Sequence, residues 1–160
     1  MKRNPLVTRA PRFKAGALLL LCALTAAPLL VGCGHPAGMN MTIDRPAENK
    51  GPIWVGVFYL TKESALDGKS VAELIDKPEA VKGMDGVLDK EVFSVQPGKD
   101  RPIVREEYEK TLLGLNTILI VANFPKPTDC ARQKIAVKKG EDIKYTVSVA
   151  EKCLEVKKSD

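Results

Sequence analysis

Apolar residues are spaced along this chain in three ways. From Ala15 to Val31 they form an almost unbroken run. From Met39 to Asp44 they alternate, with Met39, Met41 and Ile43 set against Asn40, Thr42 and Asp44. From Ile53 to Leu60 every position is apolar or glycine. Alternation is the period of a strand with one face in the core. A short all-apolar run rich in Val, Phe, Tyr and Trp reads as a central strand covered on both faces. Thr117 to Phe124, led in by Leu113-Gly114-Leu115, is a second run of that kind. Val87–Val95, Pro102–Arg105, Gln133–Val137, Lys144–Val149 and Leu154–Val156 read as further strands. The proline places Pro102–Arg105 at a sheet edge, and Gln96-Pro97-Gly98-Lys99 has the residues of a type II turn.

One segment breaks the strand pattern. Ser70-Val71-Ala72-Glu73 matches a capping box, in which a serine oxygen and a glutamate each satisfy a free backbone donor at a helix start. Val71, Leu74 and Ile75 share one face of that helix, and Pro78 ends it. So short a helix is unstable alone in water and must pack on the sheet. Glu106 to Lys110 is charged and reads as about one helical turn. Short strands at regular spacing with one inserted helical segment predict a mainly all-β protein, an antiparallel β-sandwich.

The first apolar run has a different purpose. Five basic residues precede it (Lys2, Arg3, Arg9, Arg12, Lys14) and no acidic one, which is the layout of a secretory signal peptide. Its end, Leu30-Val31-Gly32-Cys33, resembles the lipobox of bacterial lipoproteins. The resemblance implies cleavage before Cys33 and acylation of that residue on its thiol and amine. The alternative is a single transmembrane helix, for which about 17 apolar residues is at the short limit and Pro28 is a breaker. Three acyl chains, at about 0.8 kcal/mol per buried CH₂, make an effectively permanent anchor. Gly34 and His35 follow the cysteine and no Asp stands directly after it, so sorting favours the outer membrane, on its periplasmic face. The expected organisation is a signal peptide over 1–32, an acylated flexible tether over 33–38 and one β-sandwich domain over 39–160.

Cleavage changes the charge argument. The chain has 25 basic and 20 acidic residues, and the five basic residues of the leader account for the whole excess. The mature chain is therefore balanced, and the pI near 9.0 is no sign of nucleic-acid binding, which needs positive charge clustered on the folded domain. Of four cysteines, Cys22 leaves with the leader and Cys33 carries lipid. Cys130 and Cys153 remain in an oxidising compartment, where two thiols most often pair and otherwise stand as separate buried thiols. Pairing would close a loop of about 23 residues, contributing roughly 3 kcal/mol.

Catalytic chemistry finds little material. The single histidine, His35, lies two residues from the anchor on the tether. A preorganised site cannot be built there, which removes triads, Cys-His pairs and the usual zinc sets, so no metal or other cofactor is expected. Glu106, Glu107, Glu109, Glu141 and Asp142 sit among lysines and read as solvated faces. The folded part is expected to bind rather than catalyse.

The order of these features is similar to that of the TssJ family, lipoproteins of the type VI secretion system. The resemblance rests on Ile53-Trp54-Val55-Gly56-Val57-Phe58-Tyr59-Leu60, the helical insertion Ser70–Asp76, and Val87-Leu88 with Glu91-Val92-Phe93 leading into Gln96-Pro97-Gly98. It continues through Leu113-Gly114, Ile120-Val121-Ala122-Asn123-Phe124 and Tyr145-Thr146-Val147-Ser148-Val149. It implies a transthyretin-like sandwich, held in the outer membrane by lipid on Cys33, that grips the periplasmic domain of an inner-membrane TssM-type partner. In the family the loop between the first two strands is a main contact, here Arg45, Pro46, Ala47, Glu48, Asn49, Lys50, Gly51 and Pro52. Two prolines restrict that loop and lower the ordering cost of binding, although the same residues also read as a plain polar turn. The alternative function is a periplasmic chaperone or pilotin lipoprotein for an outer-membrane assembly, which would need an open apolar groove. A hydrolase on the same sandwich is a third, made remote by the missing histidine.

Overall fold

The computed structural model describes residues 36–126 and 128–159. The leader, its lipobox and Cys33 lie outside the described residues. Eight strands and two short α-helices follow one another as β1 (Met39–Arg45), β2 (Ile53–Leu60), α1 (Val71–Asp76), β3 (Val87–Val95), β4 (Lys99–Arg105), α2 (Tyr108–Thr111), β5 (Thr117–Ala122), β6 (Arg132–Ala136), β7 (Ile143–Val149) and β8 (Leu154–Lys158).

The strands form two four-stranded sheets, one ordered β4-β1-β7-β8 and the other β3-β2-β5-β6. The fold is the expected all-β sandwich, and β4 lies at an edge as its proline requires. One pairing departs from the purely antiparallel arrangement: β1 and β7 run parallel, with Met39 opposite Ile143 and Ile43 opposite Val147. Parallel neighbours need a long crossover, and the whole chain between β1 and β7 provides it.

Alternation builds the core. Met39, Met41 and Ile43 of β1 point between the sheets with Val55, Val57 and Tyr59 of β2, Ile118 and Ile120 of β5, and Val147 and Val149 of β7. The other face of β2 carries Phe58 and Leu60, which are covered by Leu66, Leu74, Ile75 and Val81 of the insertion between β2 and β3. The capping box starts that insertion's helix: the Glu73 amide donates to Ser70 Oγ at 3.2 Å and the Ser70 amide to Glu73 Oε2 at 2.8 Å. The cover stops short of the strand's first turn, so the expectation of two covered faces along all of β2 fails at Trp54, which is 53% exposed. Gly56 marks the boundary: a Cβ there would stand 2.6 Å from the Phe58 ring, so only glycine lets the ring lie back on the strand.

The two open sides of the sandwich are closed by different chemistry. On the β6/β8 side a disulfide joins Cys130 to Cys153 across a separation of 23 residues. On the β3/β4 side, Arg105 of β4 donates to Asp89 and Glu91 of β3 at 2.8 and 2.9 Å. Its guanidinium also lies 4.5 Å from the Tyr59 ring centroid, and Arg101 lies 4.4 Å from that of Phe93, both within cation–π range.

Candidate functional site

Each strand delivers its ends to one of two poles. At the first pole the described chain begins: the Tyr108 amide donates to the Ala37 carbonyl at 3.2 Å, and the Gly38 amide to Asp142 Oδ1 at 2.9 Å. At the second pole β1 passes into β2, β3 into β4, β5 into β6 and β7 into β8. All seven residues of the β1–β2 connection, Pro46 to Pro52, therefore stand at the pole away from the start of the described chain.

Arg45 corrects the expected boundary of that loop. It is the last residue of β1 and only 3% exposed, because it continues the inward parity of Met39, Met41 and Ile43 one step beyond the apolar core. Its guanidinium turns to backbone oxygens. Nε donates to the Gly51 carbonyl at 2.9 Å and Nη2 to that of Lys50 at 3.0 Å. Nη1 donates to the carbonyls of Val149 and Ala150 at 3.1 and 3.2 Å. Burial lowers the Arg45 pKa from its ordinary value. The residue is thus a hub inside the loop and not a contact on its surface.

Other bonds complete the platform. The Asn49 amide donates to the Pro46 carbonyl at 3.1 Å, closing a turn, and the Gly98 amide to that of Arg45 at 2.7 Å. Gly51 takes φ 67°, a left-handed conformation that glycine adopts without strain. Ala47, Glu48, Lys50, Gly51 and Pro52 are exposed, and Pro46 and Asn49 half-buried.

Beside the loop lies a groove of about 410 Å³ that sequence reasoning did not foresee. Ile53 and Phe124 form its apolar floor, at 5% and 6% exposed. Lys50, Lys126, Glu151 and Lys152 line its rim, with Arg45 beneath them. Its far wall is fixed by the Cys130–Cys153 bond and by Thr128 Oγ1, which donates to the Lys152 carbonyl at 2.7 Å. Three connections distant in sequence make this groove, and the only trace in the sequence is the proline-bounded Phe124-Pro125-Lys126.

The carboxylates considered for catalysis are at the first pole; Glu106 is exposed, and the other four are engaged in structure, Glu141 with Lys138. Glu109 Oε1 accepts from the Gly140 amide at 2.8 Å, Asp142 Oδ1 from that of Gly38, and Glu107 pairs with Lys110. No group of three or more His, Cys, Asp or Glu side chains among the described residues could hold a metal ion.

No protein-family model and no curated protein sequence matches the chain. Solved structures do. The chain is similar to the type VI secretion lipoprotein TssJ1 from Pseudomonas aeruginosa, with a TM-score of 0.66 and 16% identity over 78% of this chain and 98% of that one. It is similar to Serratia marcescens Lip, a membrane-bound component of the type VI secretion system, with a TM-score of 0.60 and 14% identity over 77% and 99%. A chain from a structure of the TssM C-terminal domain from EAEC gives 0.56 and 11% over 76% and 98%. The protein has the fold of these secretion lipoproteins.

Proposed function

We propose that this chain is a lipoprotein subunit of a type VI secretion membrane complex, anchored in the outer membrane and holding the periplasmic part of an inner-membrane TssM-type partner. The observation that carries the reading is a fold matched over 98% of TssJ1, standing directly behind a lipobox cysteine. Its role is binding, not catalysis.

The polarity of the domain supports this arrangement. Cys33 precedes Ala37 by a stretch that reaches at most about 14 Å when extended. β1 then carries the chain over seven residues, some 23 Å, to the connection with β2. A chain that enters the domain at one pole and presents its loop platform at the other leaves that platform free for a partner when its N-terminal end is tethered. A pilotin or chaperone role would need a long open apolar groove along β2, whereas Phe58 and Leu60 are fully covered and the apolar surface left open at that strand is confined to its first residues, at Ile53 and Trp54.

The test is co-precipitation of the full acylated chain with the periplasmic part of the TssM-type protein from the same source. Capture is expected, and replacing residues 48–51 by serine should abolish it. A chain that captures nothing would overturn the reading, and capture that survives the loop replacement would overturn the loop's part in it.

A further inference from the structure

We propose that the groove beside the β1–β2 connection is a binding site for an acidic polypeptide segment that carries a bulky apolar side chain. The proposal deepens the partner-holding reading, since it specifies what chemistry the partner would present, but the site is argued from this chain alone.

Charge at the groove favours an anionic partner. Arg45 is a buried cation whose hydrogen-bond partners among the described residues are all carbonyl oxygens, and none of its ion-pairing capacity is used by a carboxylate within salt-bridge distance. Above it Lys50, Lys126 and Lys152 converge on one opening. None of these three lysines takes part in an ion pair among the described residues, so their charge at the opening is not offset by a salt bridge. Glu151 is the one carboxylate in the lining. A concave wall lined mainly by one sign of charge focuses its field outward and favours anionic partners.

The floor favours an apolar side chain. Ile53 and Phe124 close the bottom of the groove with apolar surface, which favours a side chain such as Leu or Phe over a bare phosphate or sugar. A volume of about 410 Å³ is at the lower end of the range for ligand pockets and suits one large side chain with its neighbours. The walls are set before binding, one by the Arg45 hydrogen bonds and the other by the Cys130–Cys153 bond. Binding therefore orders little of this chain, which keeps its entropic cost low.

Two measurements on the full mature chain decide the matter. In the first, backbone amide shifts are followed by NMR during titration with a blocked peptide, Asp-Glu-Leu-Phe-Glu-Asp, and with a counterpart in which every acid is replaced by lysine. Shifts at Ile53, Phe124 and Lys152 with the acidic peptide alone are expected. Equal shifts with the basic peptide, no shifts, or the same shifts produced only by vesicles of phosphatidylglycerol would overturn the site. In the second, the periplasmic part of the TssM-type partner is titrated against the chain and against K126E/K152E, whose fold is checked by circular dichroism. The charge reversal should weaken binding at least about tenfold, and a rise from 50 to 300 mM salt should weaken the unaltered pair similarly. Binding insensitive to both changes overturns the groove and leaves the proposed function standing. A partner that never binds, beside an acidic peptide that maps to the groove, supports the groove and overturns the proposed function.

Discussion

Arg45 Nη1 donates to the carbonyl oxygen of Val149 at 3.1 Å, across 104 residues of sequence. One side chain thereby joins the end of β1 to the end of β7 while its other nitrogens hold the connection to β2. Removing it strands several carbonyls at once. Arg45→Ala should destabilise the fold by about 2–3 kcal/mol, the cost of leaving buried polar groups unpartnered. Arg45→Lys should recover only part of this, because an ammonium cannot reproduce the planar fork. Urea titration gives the stability. Hydrogen exchange of residues 46–52 should show faster opening in both variants, and unchanged exchange there would refute the hub.

The Cys130–Cys153 bond closes the β6/β8 side of the sandwich, and its loss should be felt through the unfolded chain. Replacing both cysteines by serine is expected to lower stability by about 3 kcal/mol in the chain-entropy account. Reduction of the unaltered protein should move the urea midpoint by a matching amount. A shift below about 0.5 kcal/mol in both experiments would show that the denatured state is constrained by other means.

Tyr59 gives the domain an alkaline limit. Its ring is fully buried and its hydroxyl donates to Glu91 Oε1 at 2.8 Å. Burial first, and then the Glu91 carboxylate, raise its pKa above the ordinary value. An unfolded tyrosine ionises near pH 10, while the folded one keeps its proton to higher pH. Above about pH 10 the native state therefore binds more protons than the unfolded state, and stability must fall as pH rises. Below that pH this contribution is fully present. Urea midpoints measured from pH 8 to pH 11 should decline for the unaltered chain and decline less for Tyr59→Phe. Parallel profiles would assign the alkaline loss to other groups.

The anchor is tested at a single atom. Cys33→Ser removes the thiol that the lipobox resemblance requires, so the precursor should stay uncut and unacylated. Radiolabelled palmitate should enter the unaltered chain and be missing from the variant. Label persisting in the variant would mean that the lipid is attached elsewhere.

Much of the fold is legible in the residues because the relevant interactions are local or periodic. Met39, Met41 and Ile43 announce a strand by parity. Ser70 and Glu73 announce a helix start because both bonds of the capping box are made within four residues. Gly98, at φ 69°, takes the turn conformation that Pro97-Gly98 implies. The exposure of Trp54 is not legible in the pattern, because cover on the outer face of β2 depends on where the insertion between β2 and β3 comes to rest.

Residue pattern alone is enough for the existence of the strands, the inward face of β1, the capped helix and the residues available for chemistry, although β4 begins at Lys99, three residues before the expected strand. Each of these follows from backbone geometry and side-chain period over a few positions. The folded chain adds what no local pattern holds: β1 lies parallel to β7, Arg45 leaves the loop to become its hub, and Phe124, Lys126 and Lys152 share one groove with Lys50. Those are contacts between segments up to about 100 residues apart, and their free energy appears only when the two sheets close on each other and exclude water.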